Sequence, residues 1–369
     1  MKDQPAKAYL DAQRDDCNRP TVLAFPVLYP REVLTALDLC AWERWSEPSR
    51  VQGGADPGRL QGYLCPTVRG AQAVLAAADH GAQAAIIPHT CDSMQGLACV
   101  ARANRSWSIP VLTFRHPRGS DRPAARCFLR AEVEAFVVEL ERIFQRRLDS
   151  QRLRDAICLH RDVESSLTVL LRARPWLDIE DARLYATLHK LTWLHPEHAR
   201  EELQDLEQRT ARCETRRSGV GLVFSGMVPE PDGLFDTLHQ AGAYVAADDY
   251  AVFGRRLPGY DGPIAPDPLD SVVERLLLMP PCPTRAFDAS QRTAHLRALA
   301  KDSGARGVVL HTVKFCEPEL FDVGTVQRGL AAHGIKVLHI ETEFEAHVTG
   351  QIATRLEAFV EMLAEGAEP

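Results

Sequence analysis

The feature that most constrains this chain of 369 residues is a repeated alternation of short apolar runs with stretches of helical spacing. In the first part the runs fall at residues 21–28, 60–64, 84–88 and 110–114, and in the last part at 220–225, 243–247, 307–313 and 336–340. Runs too short for buried helices, alternating with amphipathic segments, give parallel strands joined by crossover helices. Pro30 is expected to open a helix reaching about residue 45, since its missing N–H has no partner to lose there. Between the two alternating parts the spacing becomes helical throughout. Val133, Phe136, Val137, Leu140 and Phe144 recur at intervals of three and four along one face, and further helices are expected at 152–172, 179–194 and 197–213. The expected fold is therefore α/β, with two doubly wound, flavodoxin-like parallel-sheet domains at 1–129 and 218–369 and a helical middle region at 130–217.

Composition narrows the class of partner. With 45% apolar and 25% charged residues the chain has ordinary globular make-up. Its 43 basic and 50 acidic residues give a net charge of −7, which offers no attraction to phosphate backbones or anionic lipid, so neither nucleic acid nor membrane is expected as a partner. No run approaches the roughly 18 apolar residues of a spanning helix. The opening residues are polar and acidic, without the apolar core of a secretion signal. A cytoplasmic protein is expected, in which the ten cysteines stay thiols unless they bind metal or do redox chemistry. No two cysteines are spaced as C-x-x-C, so a metal site must be assembled from distant ones.

Cys65, Cys91 and Cys316 share a position just beyond the carboxyl end of an expected strand. In open α/β sheets ligands bind at that edge, and the start of the following helix favours the thiolate. Two readings stand for each: a small buried hydrophobe or a metal ligand. Cys40, Cys158 and Cys213 fall in helical spacing, Cys17 in the polar start and Cys127 in an expected loop, all without a signal for function. His89 and Asp92 flank Cys91, while Lys314 and Glu317 flank Cys316. These are hydrogen-bond donors, proton carriers or helix caps, with His89 and Glu317 as the candidates for catalysis. Asp248 and Asp249 read as a solvated loop pair, and Glu341 and Glu343 follow the last strand. The loop SGMVPEP lacks the glycine fingerprint of a dinucleotide site.

The blocks YLCPTVRGA (63–71), PHTCDSMQ (88–95), HQAGAYVAADDYAVFGRR (239–256), HTVKFCEPELFD (311–322) and VLHIETEFEAHVTGQIATRLEAFVEML (337–363), with FPVLYPREVLTALD (25–38), resemble in order and spacing the family of 2-hydroxyacyl-CoA dehydratases and ATP-dependent benzoyl-CoA reductase subunits. The resemblance implies a [4Fe–4S] cluster held by Cys65, Cys91 and Cys316, leaving one iron with an open position. It implies a radical enzyme subunit that acts on an acyl-CoA thioester, either by 2-hydroxyacyl-CoA dehydration or by benzoyl-CoA-type reduction. Electrons come from an ATP-dependent iron–sulfur activator, and the subunit pairs with a homologous second subunit or with itself. Ordinary acid–base catalysis supplies only about 10²–10⁴-fold, too little to remove a non-acidic β-hydrogen, which is the chemical reason for a radical route. Two alternatives stay open. One is a reductase of small molecules with a double-cubane [8Fe–9S] cluster, to which Cys99 and Cys282 would contribute. The other is a non-catalytic, cluster-bearing or structural partner subunit.

Overall fold

The computed structural model describes residues 4–45, 63–77, 81–103, 109–119, 122–210, 212–260, 262–285, 288–344 and 347–365. In chain order the elements of the first part are α1 (Gln4–Cys17), β1 (Thr21–Ala24), α2 (Arg31–Ala36), β2 (Cys40–Glu43), α3 (Pro66–Ala76), β3 (Ala84–Pro88), α4 (Asp92–Ala103), β4 (Val111–Phe114) and α5 (Pro123–Phe144). Helices α6 (Ser150–Ala173), α7 (Asp181–Leu191) and α8 (Pro196–Arg209) follow. The last part runs β5 (Val220–Gly226), α9 (Leu234–Gln240), β6 (Ala243–Tyr250), α10 (Pro268–Leu278), α11 (Ala289–Ser303), β7 (Gly307–Val313), α12 (Glu317–Ala331), β8 (Lys336–Thr342) and α13 (Gly350–Glu365).

These elements form two four-stranded, wholly parallel sheets, ordered β2-β1-β3-β4 and β6-β5-β7-β8, as the alternation of the sequence required. Both have the strand order of flavodoxin-like folds. The chain divides into two compact units. Unit 1 comprises Met1–Ser166, His189–Leu203 and Pro258–Met279; unit 2 comprises Leu167–Leu188, Gln204–Leu257 and Pro280–Pro369. The helical stretch 130–217 contributes to both. Helix α10 belongs to unit 1 although it follows β6, because Arg130 of α5 bonds Asp267 and Asp270 at its start, at 2.6 and 2.7 Å. Its buried Arg275 pairs with Glu32 of α2 and Glu164 of α6.

Strands β1, β3, β5 and β7 are buried along their whole length, which is why they read as continuous apolar runs rather than as alternations. On one face of the second sheet Val223, Val308 and Leu310 pack with Leu296 of α11 and with Val326 and Leu330 of α12. Each fully buried side chain of this kind contributes about 1.5–3 kcal/mol. No helix among the described residues is long and apolar enough to cross a membrane.

Several expectations are corrected. The helix after Pro30 stops at Ala36, Asp38 takes a left-handed backbone (φ 53°), and Cys40 opens β2 instead of lying in a helix. The polar start forms α1, which buries Ala6, Leu10 and Gln13. Helix α5 begins at Pro123, so Cys127 is helical and not in a loop. Cys213 lies beyond the end of α8, where its N–H donates to the Trp176 carbonyl at 2.8 Å. Of the strand expected at 60–64, residues 60–62 lie outside the described residues, and Tyr63 and Leu64 form a turn. Strand β6 runs on to Tyr250 and takes in Asp248 and Asp249, which were expected in solvent.

Candidate functional site

The three singled-out cysteines occupy equivalent local positions: each directly precedes a helix. Cys65 caps α3 with Pro66 in the first turn, and its carbonyl accepts from the Val68 and Arg69 amides at 3.1 and 3.2 Å. Cys91 follows β3 and precedes α4; its carbonyl accepts from Gln95 at 3.0 Å and its sulfur from the Met94 amide at 3.4 Å. Cys316 follows β7 and caps α12, accepting from the Glu319 and Leu320 amides at 3.1 and 3.0 Å. Free N–H groups at helix starts carry partial positive charge and favour a thiolate.

Cys65 and Cys91 both belong to unit 1, and they feel each other. Burial pushes the Cys65 thiol up to about 11; the Val68 and Thr67 amides pull it down without winning, and charge on Cys91 raises it further. At Cys65 the helix start pulls in the direction expected, and desolvation is the larger effect. Binding a metal deprotonates such a thiol outright. Cys316 belongs to unit 2. Within each unit, among the described residues, no three His, Cys, Asp or Glu side chains form a group able to hold a metal.

The neighbours sort by environment. The half-buried His89 continues the β3–β4 ladder through its amide, which donates to the Phe114 carbonyl at 2.8 Å. Its Nε2 is buried without a hydrogen-bond partner among the described residues, and burial, then Arg115 and Arg102, lowers its pKa. Glu317 is exposed in the first turn of α12, where a carboxylate complements the helix dipole. Asp92 opens α4 in the same way. Lys314 and Glu343 pair with each other at 2.7 Å near the surface, and Glu341 lies exposed in β8. Cys99 is exposed on α4. Cys282 is buried in unit 2, its sulfur 3.0 Å from the Thr284 hydroxyl and 3.5 Å from Arg255.

At the carboxyl edge of the second sheet lies a buried polar network that sequence reasoning missed. Asp248 accepts from the Tyr250 and Gly254 amides at 3.0 and 2.8 Å and from the Tyr185 hydroxyl at 2.5 Å. Its pKa is raised, because burial outweighs Arg174 and these hydrogen bonds. Asp249, 1% exposed, accepts from Arg255 at 2.9 Å, from the Ser225 hydroxyl at 2.6 Å and pairs with His295 at 3.1 Å. Burial acts to raise it too, but Arg255 and then His295 prevail and hold it well below the usual carboxylate range. Adjacent aspartates thus differ because Arg255 hydrogen-bonds Asp249 at 2.9 Å, whereas Arg174 stays 4.0 Å from Asp248. Arg255 also reaches Glu319 of α12 at 3.1 Å, and Arg292 of α11 bonds Asp322 at 3.3 Å.

A second chain of hydrogen bonds crosses the same edge. The Tyr250 hydroxyl meets His311 Nδ1 at 2.7 Å, and His311 Nε2 meets the Thr342 hydroxyl at 2.7 Å. Burial, against the Glu230 carbonyl and with His339, pushes His311 down to about 3. Unfolded, the same ring titrates near its ordinary ~6.5, so between these values the unfolded state binds more protons. The contribution is whole above about pH 6.5 and is lost as the pH falls, by about 2 kcal/mol at pH 5. In urea titrations at pH 7 and pH 5, His311→Gln is expected to lose less stability between the two pH values than the parent, by about that amount. Equal losses in both proteins would show that the ring is not held neutral.

Comparison with known proteins adds an independent line. Residues 26–363 match the family model described as 2-hydroxyglutaryl-CoA dehydratase, D-component. The chain is 25% identical over 368 residues to lactoyl-CoA dehydratase subunit beta of Anaerotignum propionicum, covering 97% of this chain and 96% of that protein. It is 26% identical over 300 residues to the (R)-2-hydroxyglutaryl-CoA dehydratase subunit beta of Acidaminococcus fermentans, covering 77% and 76%. It is 21% identical over 366 residues to the (R)-phenyllactyl-CoA dehydratase beta subunit of Clostridium sporogenes, covering 97% and 95%.

Proposed function

Because the chain belongs to the 2-hydroxyglutaryl-CoA dehydratase D-component family, we propose that it is one subunit of a 2-hydroxyacyl-CoA dehydratase in which Cys65, Cys91 and Cys316 hold a [4Fe–4S] cluster. The observation that carries the reading is the family match across residues 26–363, within which all three cysteines stand at helix starts. The three relatives are named as dehydratase beta subunits, which favours dehydration over ring reduction and favours a homologous partner subunit. The substrate is an acyl-CoA, and an ATP-dependent iron–sulfur activator supplies the electron.

The donor set fits the group. Thiolates are soft ligands suited to iron–sulfur clusters, and in unit 1 Cys65 and Cys91 are close enough to interact electrostatically. When bound, the cluster supplies one-electron chemistry and an iron with an open coordination position. The chain's own part is to hold and solvate the sulfurs. The Met94 amide donates to Cys91, and those of Thr67 and Val68 favour the Cys65 thiolate. His89, with Nε2 buried and unbonded among the described residues, is the group in unit 1 suited to hold or pass a proton near Cys91.

Anaerobically purified protein is expected to carry about four irons per chain, against about eight for a double cubane. Serine at position 65, 91 or 316 is expected to remove most of the iron and the activity. Cys158→Ser, on the exposed side of α6, is expected to retain both. Equal iron in all four variants would overturn the ligand assignment.

A further inference from the structure

We propose that the buried Arg255–Glu319 pair is a positioning device for Cys316, fixing the turn that presents its sulfur as a metal ligand; this rests on the iron–sulfur reading above. The turn itself is strained. Phe315 carries a side chain yet adopts a left-handed backbone, φ 62°, immediately before Cys316. Such a conformation persists only where its surroundings over-determine it. On the strand side the fastening is plain: the Cys316 amide donates to the Val313 carbonyl at 2.9 Å, and the Lys314 amide to the Thr342 carbonyl at 2.8 Å.

On the helix side the fastening runs through Glu319. Its amide donates to the Cys316 carbonyl at 3.1 Å, so the residue lies one turn on and is bonded to the backbone that carries the thiol. A glutamate in a first turn needs only to face solvent to serve the helix dipole. Glu319 instead points inward, 2% exposed, with Arg255 at 3.1 Å and Arg292 at 3.8 Å. Arg255 is in turn locked by Asp249 at 2.9 Å and by the Ser225 hydroxyl at 3.1 Å. The first turn of α12 is thereby tied to β5, β6 and α11.

Stability alone does not account for this arrangement. A buried ion pair seldom stabilises more than well-packed apolar side chains of the same size, because both charges lose their hydration. What it offers is direction: the planar guanidinium fork accepts partners only along fixed lines. The same unit holds an internal contrast in the buried pair Arg174–Asp181, joined by the partly buried Arg217; Asp181 accepts from the Val245 amide, and among the described residues the group does not touch the Cys316 turn.

The test uses the full-length chain with Arg255→Met, Arg255→Lys, the isosteric Glu319→Gln and, as contrast, Asp181→Asn. After removal of iron by chelation, the rate of alkylation by iodoacetamide is read by peptide mass spectrometry at Cys316, with Cys91 in the same molecule as reference. Arg255→Met and Glu319→Gln are expected to raise the Cys316/Cys91 rate ratio about tenfold through easier local opening, with Arg255→Lys in between. Asp181→Asn is expected to lower the thermal midpoint and leave the ratio unchanged. In iron-loaded protein the first two variants are expected to alter the cluster's electron paramagnetic resonance spectrum or lose iron, and Asp181→Asn to do neither. An unchanged ratio in both Arg255→Met and Glu319→Gln, or an equal rise in Asp181→Asn, overturns the proposal. The two readings fail separately: full iron in Cys316→Ser defeats the ligand assignment, whereas the alkylation ratio in iron-free protein still judges the positioning.

Discussion

Asp249→Ala lowers the stability of unit 2 by about 3–5 kcal/mol, the usual cost of leaving one buried ion stranded. The carboxylate is 1% exposed and receives Arg255, Ser225 and His295. Its removal leaves Arg255, itself buried, with Glu319 as its remaining carboxylate partner. The loss is specific to burial: Asp205→Ala, which breaks an exposed pair with Arg209, changes stability by about 0.5 kcal/mol or less. Peptide-resolved amide exchange over residues 243–256 in a urea series measures both. Because the folded value of Asp249 is depressed, its contribution is present above the ordinary carboxylate value of ~3.9 and disappears as the pH falls below it, so parent and variant converge in strong acid. A difference that persisted unchanged at pH 2 would point to lost packing rather than lost charge.

Gly226→Ala is the second large effect. Gly226 ends β5, in register with Tyr250 on one side and His311 on the other. A methyl group there would lie 2.1 Å from the His311 carbonyl oxygen and 3.1 Å from the Tyr250 ring. The obstacle is backbone in a central strand, which has no rotamer to escape into. Strands β5 and β7 must part, giving up ladder hydrogen bonds and the Tyr250–His311 contact, at a cost of about 3 kcal/mol or more. Gly96, inside α4 with nothing within 4 Å of an added methyl, reverses the sign: Gly96→Ala stabilises by about 0.5–1 kcal/mol through helix propensity. Urea midpoints of the two variants, moving in opposite directions from the parent, are the expected result. Similar midpoints would mean that β5 and β7 yield more readily than their packing implies.

Strands buried on both faces announce themselves, and so β3, β5 and β7 were legible together with the helices they feed. Cys91 and Cys316 could be placed from those strands. β2 was hidden because Cys40-Ala-Trp-Glu43 carries on the apolar spacing of Leu34 and Leu37, and nothing local reports that Glu43 is buried against the Tyr29 hydroxyl at 2.6 Å. The aspartates of β6 were misread for a related reason. Aspartate is depleted in strands, and its partners there, Arg174 and Arg255, are not adjacent in sequence. A weak signal did exist in Gly254 followed by Arg255 and Arg256 a few residues on: a β-carbon at 254 would lie 2.2 Å from the Asp248 carbonyl oxygen, so the loop closes only on glycine. The upward push on the Cys65 thiol was beyond reach of spacing, since desolvation depends on what packs around the start of α3.

Cys91 and Cys316 each begin the helix that leaves the third strand, in chain order, of its own sheet, and in both sheets that strand lies between the first and the fourth. The same point of the same topology therefore carries a thiol in both halves. Cys65, which caps the helix entering β3 where Asp288 caps the helix entering β7, breaks the correspondence and makes the halves chemically unequal.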